Sequence, residues 1–518
     1  MTIIKQLCSM AELIEARAAE RGSEPFMLDA QSGAALSFQQ LKEETDRLRK
    51  NLEASGLQPG DKVSVYMPNG PLPAILLLAI MASGLQVNPI NLLSQSSQLV
   101  YVLSHSDTRL VFTCKEYLPS LAQALRQVER EVAVVVCEPE SMQVPVVPAV
   151  AAVSALPSAP SASSGALSGQ QIQADEPALI MYTSGTTGRP KGAMLTHASL
   201  LSNGRALTKL WGFTNQDVLL HALPLFHAHG LFISSHCALL SRSRLLFLKK
   251  FNAEQVLSLL PRATVMMGVP TFYTRLLDQP EFTVTSAANM RLFVSGSAPL
   301  LAETNHDFQR RTGQIVLERY GMTESAIITS NPYVGERRIG SVGKPIDGVE
   351  VRIADDKDQL LPPDQIGGIQ IRGSGVMKGY WRKPKKTAEE FTSDGWFRTG
   401  DQGTLSSDDY LTIVGRAKDL VISGGYNVYP KEVEMAIDAL HGVGESAVIG
   451  IPDRDFGEAV TAVVVCKNES LTGDQIIKSL KGQLANYKIP KYVYFAPELP
   501  RNAMGKVMKN ILRDTYKK

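Results

Sequence analysis

Apolar helical patterns alternate with short β-branched runs over most of this chain, and that alternation restricts it to layered α/β architectures. FQQLKEETDRLRKNLEASG (Phe38 to Gly56) has the spacing of an amphipathic helix, whereas KVSVYMP (Lys62 to Pro68), RLVFTC (Arg109 to Cys114) and VAVVVC (Val132 to Cys137) are short apolar strands. Strands of this kind are buried on both faces, which predicts a largely parallel sheet covered by helices. The run LPAILLLAIMASGLQV from Leu72 is interrupted by Pro73 and Gly84 and is too short to cross a bilayer, so it reads as a buried helix. At 518 residues the chain exceeds what one core sustains, and a large and a small domain are expected.

Residues 145 to 170, PVVPAVAAVSALPSAPSASSGALSGQ, carry no charge and read as a mobile surface loop. A boundary is predicted near GRAKDLVISGGYNVYPKEVEMAI (Gly415 to Ile437). Before it lies a turn-rich β-structure, from GGIQIRG to YLTIVG. After it a helix (PKEVEMAIDAL), two strands (ESAVIGIP, AVTAVVVC) and a helix (TGDQIIKSLKGQLA) form a small, mobile α+β unit. The expected domains are therefore 1–416 and 417–518, with a hinge between Arg416 and Asp419. Lys and Arg (53) nearly balance Asp and Glu (51) and are scattered, which argues against a nucleic-acid partner. The five cysteines are far apart and form no C-x-x-C pair, as expected of a reducing compartment without structural zinc. MTIIKQLCSMAELIEARAAERG lacks the apolar core of a secretion signal, so a cytoplasmic location is expected.

YTSGTTGRPKGAMLTH (Tyr182 to His197) concentrates glycine, hydroxyls and cations. Glycine lets backbone amides approach an anion, hydroxyls add donors, and Lys191 supplies charge. A Walker loop is excluded by spacing, because Gly185 and Gly188 are three apart and Lys191 precedes Gly192. A flexible linker is the plain alternative. Against it, an apolar strand (ALIMY) leads in and a helix (HASLLSNGRAL) follows, the context of an anion site.

Further signatures follow in order: GSAPL (Gly296 to Leu300), ERYGMTES (Glu318 to Ser325), GWFRTGD (Gly395 to Asp401), GRAKDLVISGGYNVYPKEVE (Gly415 to Glu434) and PRNAMGK (Pro500 to Lys506). Together with the loop they resemble the adenylate-forming superfamily of acyl-CoA synthetases, peptide-synthetase adenylation domains and luciferases, over essentially the whole chain. The resemblance implies that a carboxylate attacks ATP to give an acyl-adenylate, with Mg2+ as cofactor, and that the thiol of CoA then captures the acyl group. Two anions meet in the first step, so the site must neutralise charge and fix geometry.

By resemblance, Thr183, Ser184, Gly185, Thr186, Thr187, Gly188 and Lys191 hold the ATP phosphates. Gly296, Ser297, Ala298, Glu318, Arg319, Tyr320, Gly321 and Met322 line the nucleotide site, with Tyr320 on the adenine. Thr323 bonds the α-phosphate, and Glu324, a hard oxygen donor, is the Mg2+ ligand. Asp401 accepts the ribose hydroxyls, Arg416 contacts ribose and phosphate, and Lys506 neutralises charge developing during adenylation. Lys418 is the hinge, and Ser423, Gly424, Gly425 and Tyr426 follow the pantetheine channel. Taken singly, each has an ordinary alternative: a capping Glu, a turn Asp, a solvated Lys, a β-turn. Lys506, next to Gly505 and expected to be exposed, is also a candidate acetylation site.

His227 and His229 stand two apart, but no Cys or acidic residue adjoins them, which argues against a metal site. By resemblance His227 lines the acyl pocket, and His229 reads as a satisfied core histidine. HAHGLF, MGVPTFYTRLL, MRLFVSGSAPLL, LERYGMTES, TSNPY and LPRNAMGKV resemble the malonyl-CoA synthetases, implying malonate or a 2-substituted malonate such as methylmalonate. The unreacted carboxylate of such an acid needs a buried cation. Arg291, on the strand face of Phe293 and Ser295, is the candidate. The pocket is then His227, Ala228, Arg291, Ser297 and Met322, with Ala228 where those enzymes carry Thr. A monocarboxylate (fatty or aryl acid) CoA ligase and a stand-alone enzyme loading a carrier protein remain alternatives.

Overall fold

A computed structural model of the protein describes residues 7–150, 166–168, 171–183, 189–467, 471–502 and 504–517. The apolar runs found in the sequence form the centre of a seven-stranded sheet. Lys62–Tyr66 runs parallel to Gln86–Pro89 and Thr108–Thr113, and Ala133–Val136 and Pro177–Thr183 extend the sheet in parallel on either side. Lys191–Thr196 and then Gly379–Tyr380 complete one edge antiparallel.

A second, nine-stranded sheet holds six parallel strands in the order Leu317–Met322, Leu292–Ser295, Val265–Gly268, Val218–His221, Arg244–Phe247 and Pro25–Asp29. One continuous core joins Val63, Val87 and Leu179 of the first sheet to Leu219, Leu245 and Leu292 of the second. The helix Pro71–Ala82 lies in it with every residue buried, which explains a sequence without an amphipathic face. The outer face of the second sheet is covered around Tyr273, Phe282, Phe293 and Phe308, whose rings meet edge-on or tilted. Parallel strands end together, so the chain segments after His221, Gly268 and Ser295 gather on one edge, where Glu318 to Met322 pass. Such an edge is where ligands bind in parallel α/β sheets.

The turn-rich region is an antiparallel four-stranded sheet of Val349–Ala354, Gly367–Gly373, Phe397–Leu405 and Leu411–Arg416. A short turn, Ala417–Asp419, leads into a separate five-stranded sheet with the helices Pro430–Asp438, Gly473–Leu480 and Lys509–Tyr516. This unit has its own cores, one around Val433, Val448 and Leu480 and one around Ile449, Val463 and Leu512.

Two expectations are corrected. The charge-free stretch is not detached at its ends. Val144 and Val147 are buried, the Val150 amide donates to the Ser55 carbonyl at 2.8 Å, and Ser168 donates to Glu53, so both ends dock on the helix Phe38–Ala54. Residues 151–165 and 169–170 lie outside the described residues. The phosphate-loop candidate does not run from strand into helix. Its described flanks pair as a hairpin, because Lys191–Thr196 returns along Pro177–Thr183 before the helix His197–Leu210 begins. KGAMLT alternates with period two and pairs as a strand, which moves the helix N-terminus and its partial charge away from the loop. Among the described residues no helix is long and apolar enough to cross a membrane.

Candidate active site

The nucleotide-side residues converge where the second sheet, the four-stranded sheet and the small unit meet. Asp401 and Arg416 are register partners on neighbouring antiparallel strands, and the Arg416 Nε lies 3.0 Å from Asp401 Oδ1. The Tyr320 hydroxyl donates to the other oxygen of Asp401, so a strand of the large sheet and the last strands before the hinge share one buried carboxylate. Lys506 joins this group from the small unit. Burial, then the field of Arg416, pushes its ammonium down to about 8, while Asp401 acts to raise it. The turn carrying Lys506 is closed by Asn502, whose amide donates to the Lys506 carbonyl at 3.0 Å and whose side chain accepts from the Lys506 amide at 3.0 Å. Gly505 has φ +70° and backs onto Thr271, where a Cβ would come within 3.2 Å of the hydroxyl. The lysine is half-buried on this turn. Lys418, in the hinge turn, is also pushed down to about 8, chiefly by burial and then by Arg416.

Glu324 is buried at the turn after Leu317–Met322, and burial raises its carboxyl above the usual range. Its carbonyl accepts from the Met377 amide at 2.7 Å, and Thr323 beside it is half-buried. Among the described residues no three His, Cys, Asp or Glu side chains cluster as a metal cage. Mg2+ needs none, since it binds through one or two carboxylates with waters and substrate phosphates, and a buried hard donor such as Glu324 fits that demand. Across the hairpin, Thr183 and Lys191 are register partners at the root of the loop. Ser184, Gly185, Thr186, Thr187 and Gly188 lie outside the described residues.

On the acyl side, Ser295 ends its strand and Gly296 turns the chain so closely over Arg319 that a Cβ would sit 2.3 Å from the guanidinium carbon. Ser297 adopts φ +70°, an uncommon conformation for a side-chain-bearing residue and one that concentrates at functional sites. Its hydroxyl lies 3.4 Å from His229 Nδ1. His229 opens the π-helical turn His229–Ile233. His227 precedes it, with its ring 5.0 Å from Phe226 and its imidazole pushed down to about 4 by burial, hence neutral. Ala228 and Met322 are half-buried against the main core, and Ala298 follows Ser297 as the chain leaves the strand.

Four assignments change. Arg291 is not in the pocket. It stands before the strand Leu292–Ser295, about 13 Å of extended chain from the Ser295 end. There it forms a two-pronged ion pair with Asp217 (2.7 and 2.8 Å), donates to the Trp211 carbonyl at 2.9 Å and lies over Tyr333. Arg319 is fully buried, and its Nε and Nη2 have no hydrogen-bond partner among the described residues. Burial pushes this guanidinium down to about 9, still protonated at neutral pH. It adjoins Gly296 and acts on His229. Glu318, on the opposite strand face, accepts from Asn305 and from the Gly340 amide at 3.1 Å and supports the strand. His229 is not a satisfied core histidine, since its buried Nε2 has no hydrogen-bond partner among the described residues. Strand alternation could have separated Arg319 from Glu318 and Tyr320, but only the tertiary packing shows which face is empty.

The remaining nucleotide-wall residue, Gly321, packs so tightly that a Cβ would meet the Ala326 carbonyl oxygen at 2.2 Å. Ser423, Gly424, Gly425 and Tyr426 form a hairpin on the small unit, with Ser423 buried and the other three exposed. Gly424 has φ +57° and Gly425 φ +81°, and Tyr426 stacks on Tyr487 at 4.8 Å. In this arrangement Lys506, not the glycine hairpin, stands beside Asp401.

The hairpin root at Thr183 and Lys191, the shared Asp401 carboxylate, buried Glu324 and a lysine from the small unit stand as an ATP-dependent, adenylate-forming ligase would need them. The chain belongs to the AMP-binding enzyme family, whose profile matches residues 14–381, with the AMP-binding enzyme C-terminal domain matching 432–506. It is 40% identical over 506 residues to a sulfoacetate–CoA ligase of Cupriavidus necator, covering 97% of this chain and 96% of that one. A malonate–CoA ligase of Arabidopsis thaliana is 38% identical over 371 residues, covering 65% of this chain and 60% of the relative. The crystal structure of ATP-bound MatB from Rhodopseudomonas palustris superposes with a TM-score of 0.87 at 42% identity, over 98% of this chain and 99% of that one. The protein is an AMP-forming acyl-CoA ligase, and ATP, Mg2+ and CoA are the small molecules of its reaction.

Proposed function

We propose that the acid is a short carboxylate carrying a second anionic group on the neighbouring carbon, malonate or a 2-substituted malonate such as methylmalonate. The observation that carries this reading is Arg319, a buried guanidinium beside Gly296 with two nitrogens that have no hydrogen-bond partner among the described residues. A buried charge of this kind is costly until an anion meets it. Neutral His227 and half-buried Ala228 leave that anion no competing charge, and Ala228 leaves room for a substituent at carbon 2.

In the first half-reaction the reacting carboxylate attacks the α-phosphorus and pyrophosphate leaves. Lys506 and Arg416 supply positive charge, and Thr323 a donor, where negative charge accumulates. Glu324 would hold Mg2+, which would supply positive charge to the phosphates. Asp401 holds the ribose, and Lys191 with the hairpin tip holds the phosphates that depart. In the second half-reaction the CoA sulfur replaces AMP at the carbonyl, with Lys418 as hinge and Ser423, Gly424, Gly425 and Tyr426 along the thiol's path.

A second reading, sulfoacetate, is favoured by the Cupriavidus relative, because a sulfonate meets the same requirement at Arg319. The experiment is AMP formation with CoA across acetate, malonate, methylmalonate, sulfoacetate, succinate and octanoate, for wild type and Arg319→Met. Wild type should prefer the C2 dianions. Arg319→Met should lower kcat/KM for them roughly 30-fold or more, the cost of leaving an anion's partner out of a buried site, and acetate far less. Octanoate as the best substrate would reject the reading. A carrier-protein acceptor is tested in the same assay by replacing CoA with a holo-carrier.

A further inference from the structure

Between the metal donor and the phosphate hairpin lies a segment, Met377 to Trp381, that the assigned chemistry does not use. It is bound on both sides. The Met377 amide donates to the Glu324 carbonyl at 2.7 Å, the Lys378 amide to the Met194 carbonyl at 2.9 Å and the Trp381 amide to the Gly192 carbonyl at 2.8 Å. Gly379–Tyr380 pairs antiparallel with Ala193 and Met194 on the strand that returns from the phosphate hairpin. The Tyr380 side chain, buried within this bridge, makes two contacts of different kind. Its hydroxyl donates to Glu324 Oε1 at 3.0 Å, and its ring face carries the Lys191 ammonium at 4.3 Å from the centroid. Lys191 is held from its other side by Glu390 at 3.2 Å, which also meets Lys386 at 3.2 Å.

We infer that Tyr380 is a positioning residue of the adenylation step: its hydroxyl orients the Glu324 carboxylate toward the metal, while its ring seats Lys191 for the phosphates. One side chain thereby sets the distance between the two groups that must grip the same triphosphate. A hydrogen bond to one carboxylate oxygen restricts the rotation of Glu324 and leaves its remaining lone pairs for a cation, the way outer partners orient metal ligands. The cation–π contact holds an ammonium at the hairpin root without a covalent or fixed hydrogen-bond geometry, so Lys191 stays able to turn to phosphate oxygens. The inference rests on Glu324 being the metal donor.

A buried tyrosine also needs a hydroxyl partner merely to be stable, so the test uses a readout that packing would not move. Binding of ATP without any acid is followed by calorimetry at increasing Mg2+, for wild type, Tyr380→Phe, Tyr380→Leu and Glu324→Gln. Tyr380→Phe keeps the ring and loses the hydroxyl. It should raise the Mg2+ concentration for half-maximal enhancement of ATP binding roughly 10-fold or more, as loss of an outer partner does, with metal-free ATP affinity unchanged. Tyr380→Leu should weaken the metal-free affinity as well. Should Tyr380→Leu fail to fold, the Phe variant alone decides. A wild-type Mg2+ response in Tyr380→Phe, with Glu324→Gln impaired, would overturn the inference whatever the melting temperature does. A wild-type response in Glu324→Gln would overturn the metal assignment beneath it.

Discussion

Lys506 shows how position changes what a residue can do. In the sequence it is one lysine of a basic C-terminal stretch. In the structure it is half-buried near Asp401 and Arg416, with its ammonium lowered to about 8. The lowering means that the free enzyme holds the proton below about pH 8 and loses it above. The cationic role is therefore present at neutral pH and fades in alkali. kcat/KM for ATP in carboxylate-dependent pyrophosphate exchange, which reports groups of the free enzyme, should fall through about pH 8 to 9. Lys506→Arg, where it is active, should move that limb to higher pH. A flat profile to pH 10 would contradict the placement of the ammonium. Lys418 titrates in the same range, and keeping it intact in the arginine variant isolates Lys506.

At the scale of elements, the strand Leu292–Ser295 has a structural end and a chemical end. Arg291 ties the structural end to Asp217, which leads into Val218–His221, and Asp217 also accepts from Thr264 at 2.7 Å, so the starts of three neighbouring strands share one carboxylate. Arg291→Met leaves Asp217 buried and unpaired, a loss of about 3 kcal/mol or more. Denaturant unfolding should show that loss, while the KM for the acid in the folded variant stays close to wild type. A selective rise in that KM would restore Arg291 to the pocket. The helices and buried strands were legible because period and β-branching are local properties. The hairpin was misread because strand and helix signals abut at KGAMLTHASLL. The Thr196 side chain, which accepts from the Ser199 amide at 3.1 Å, marks where one stops and the other starts.

For the whole molecule, the small unit reaches the site through Lys506 and the Thr271 contact of Gly505, while its glycine hairpin is elsewhere and exposed. On the proposed mechanism Lys506 serves the first half-reaction and the hairpin the second, with a turn about Lys418 exchanging them. Lys506→Ala should abolish most carboxylate-dependent pyrophosphate exchange and spare CoA transfer from a preformed acyl-adenylate. Equal loss in both assays would contradict this division. The sequence by itself determined the α/β class and the adenylate-forming chemistry, because those signatures are contiguous and their backbone and side-chain chemistry is local. Only the tertiary structure decided that Arg319 is buried without a carboxylate partner among the described residues, that Tyr380 links Glu324 to Lys191, and that the charge-free stretch is anchored at its ends. Each of these depends on strand order and register between segments far apart in the chain, and a buried charge is defined by the partners that packing brings to it or withholds.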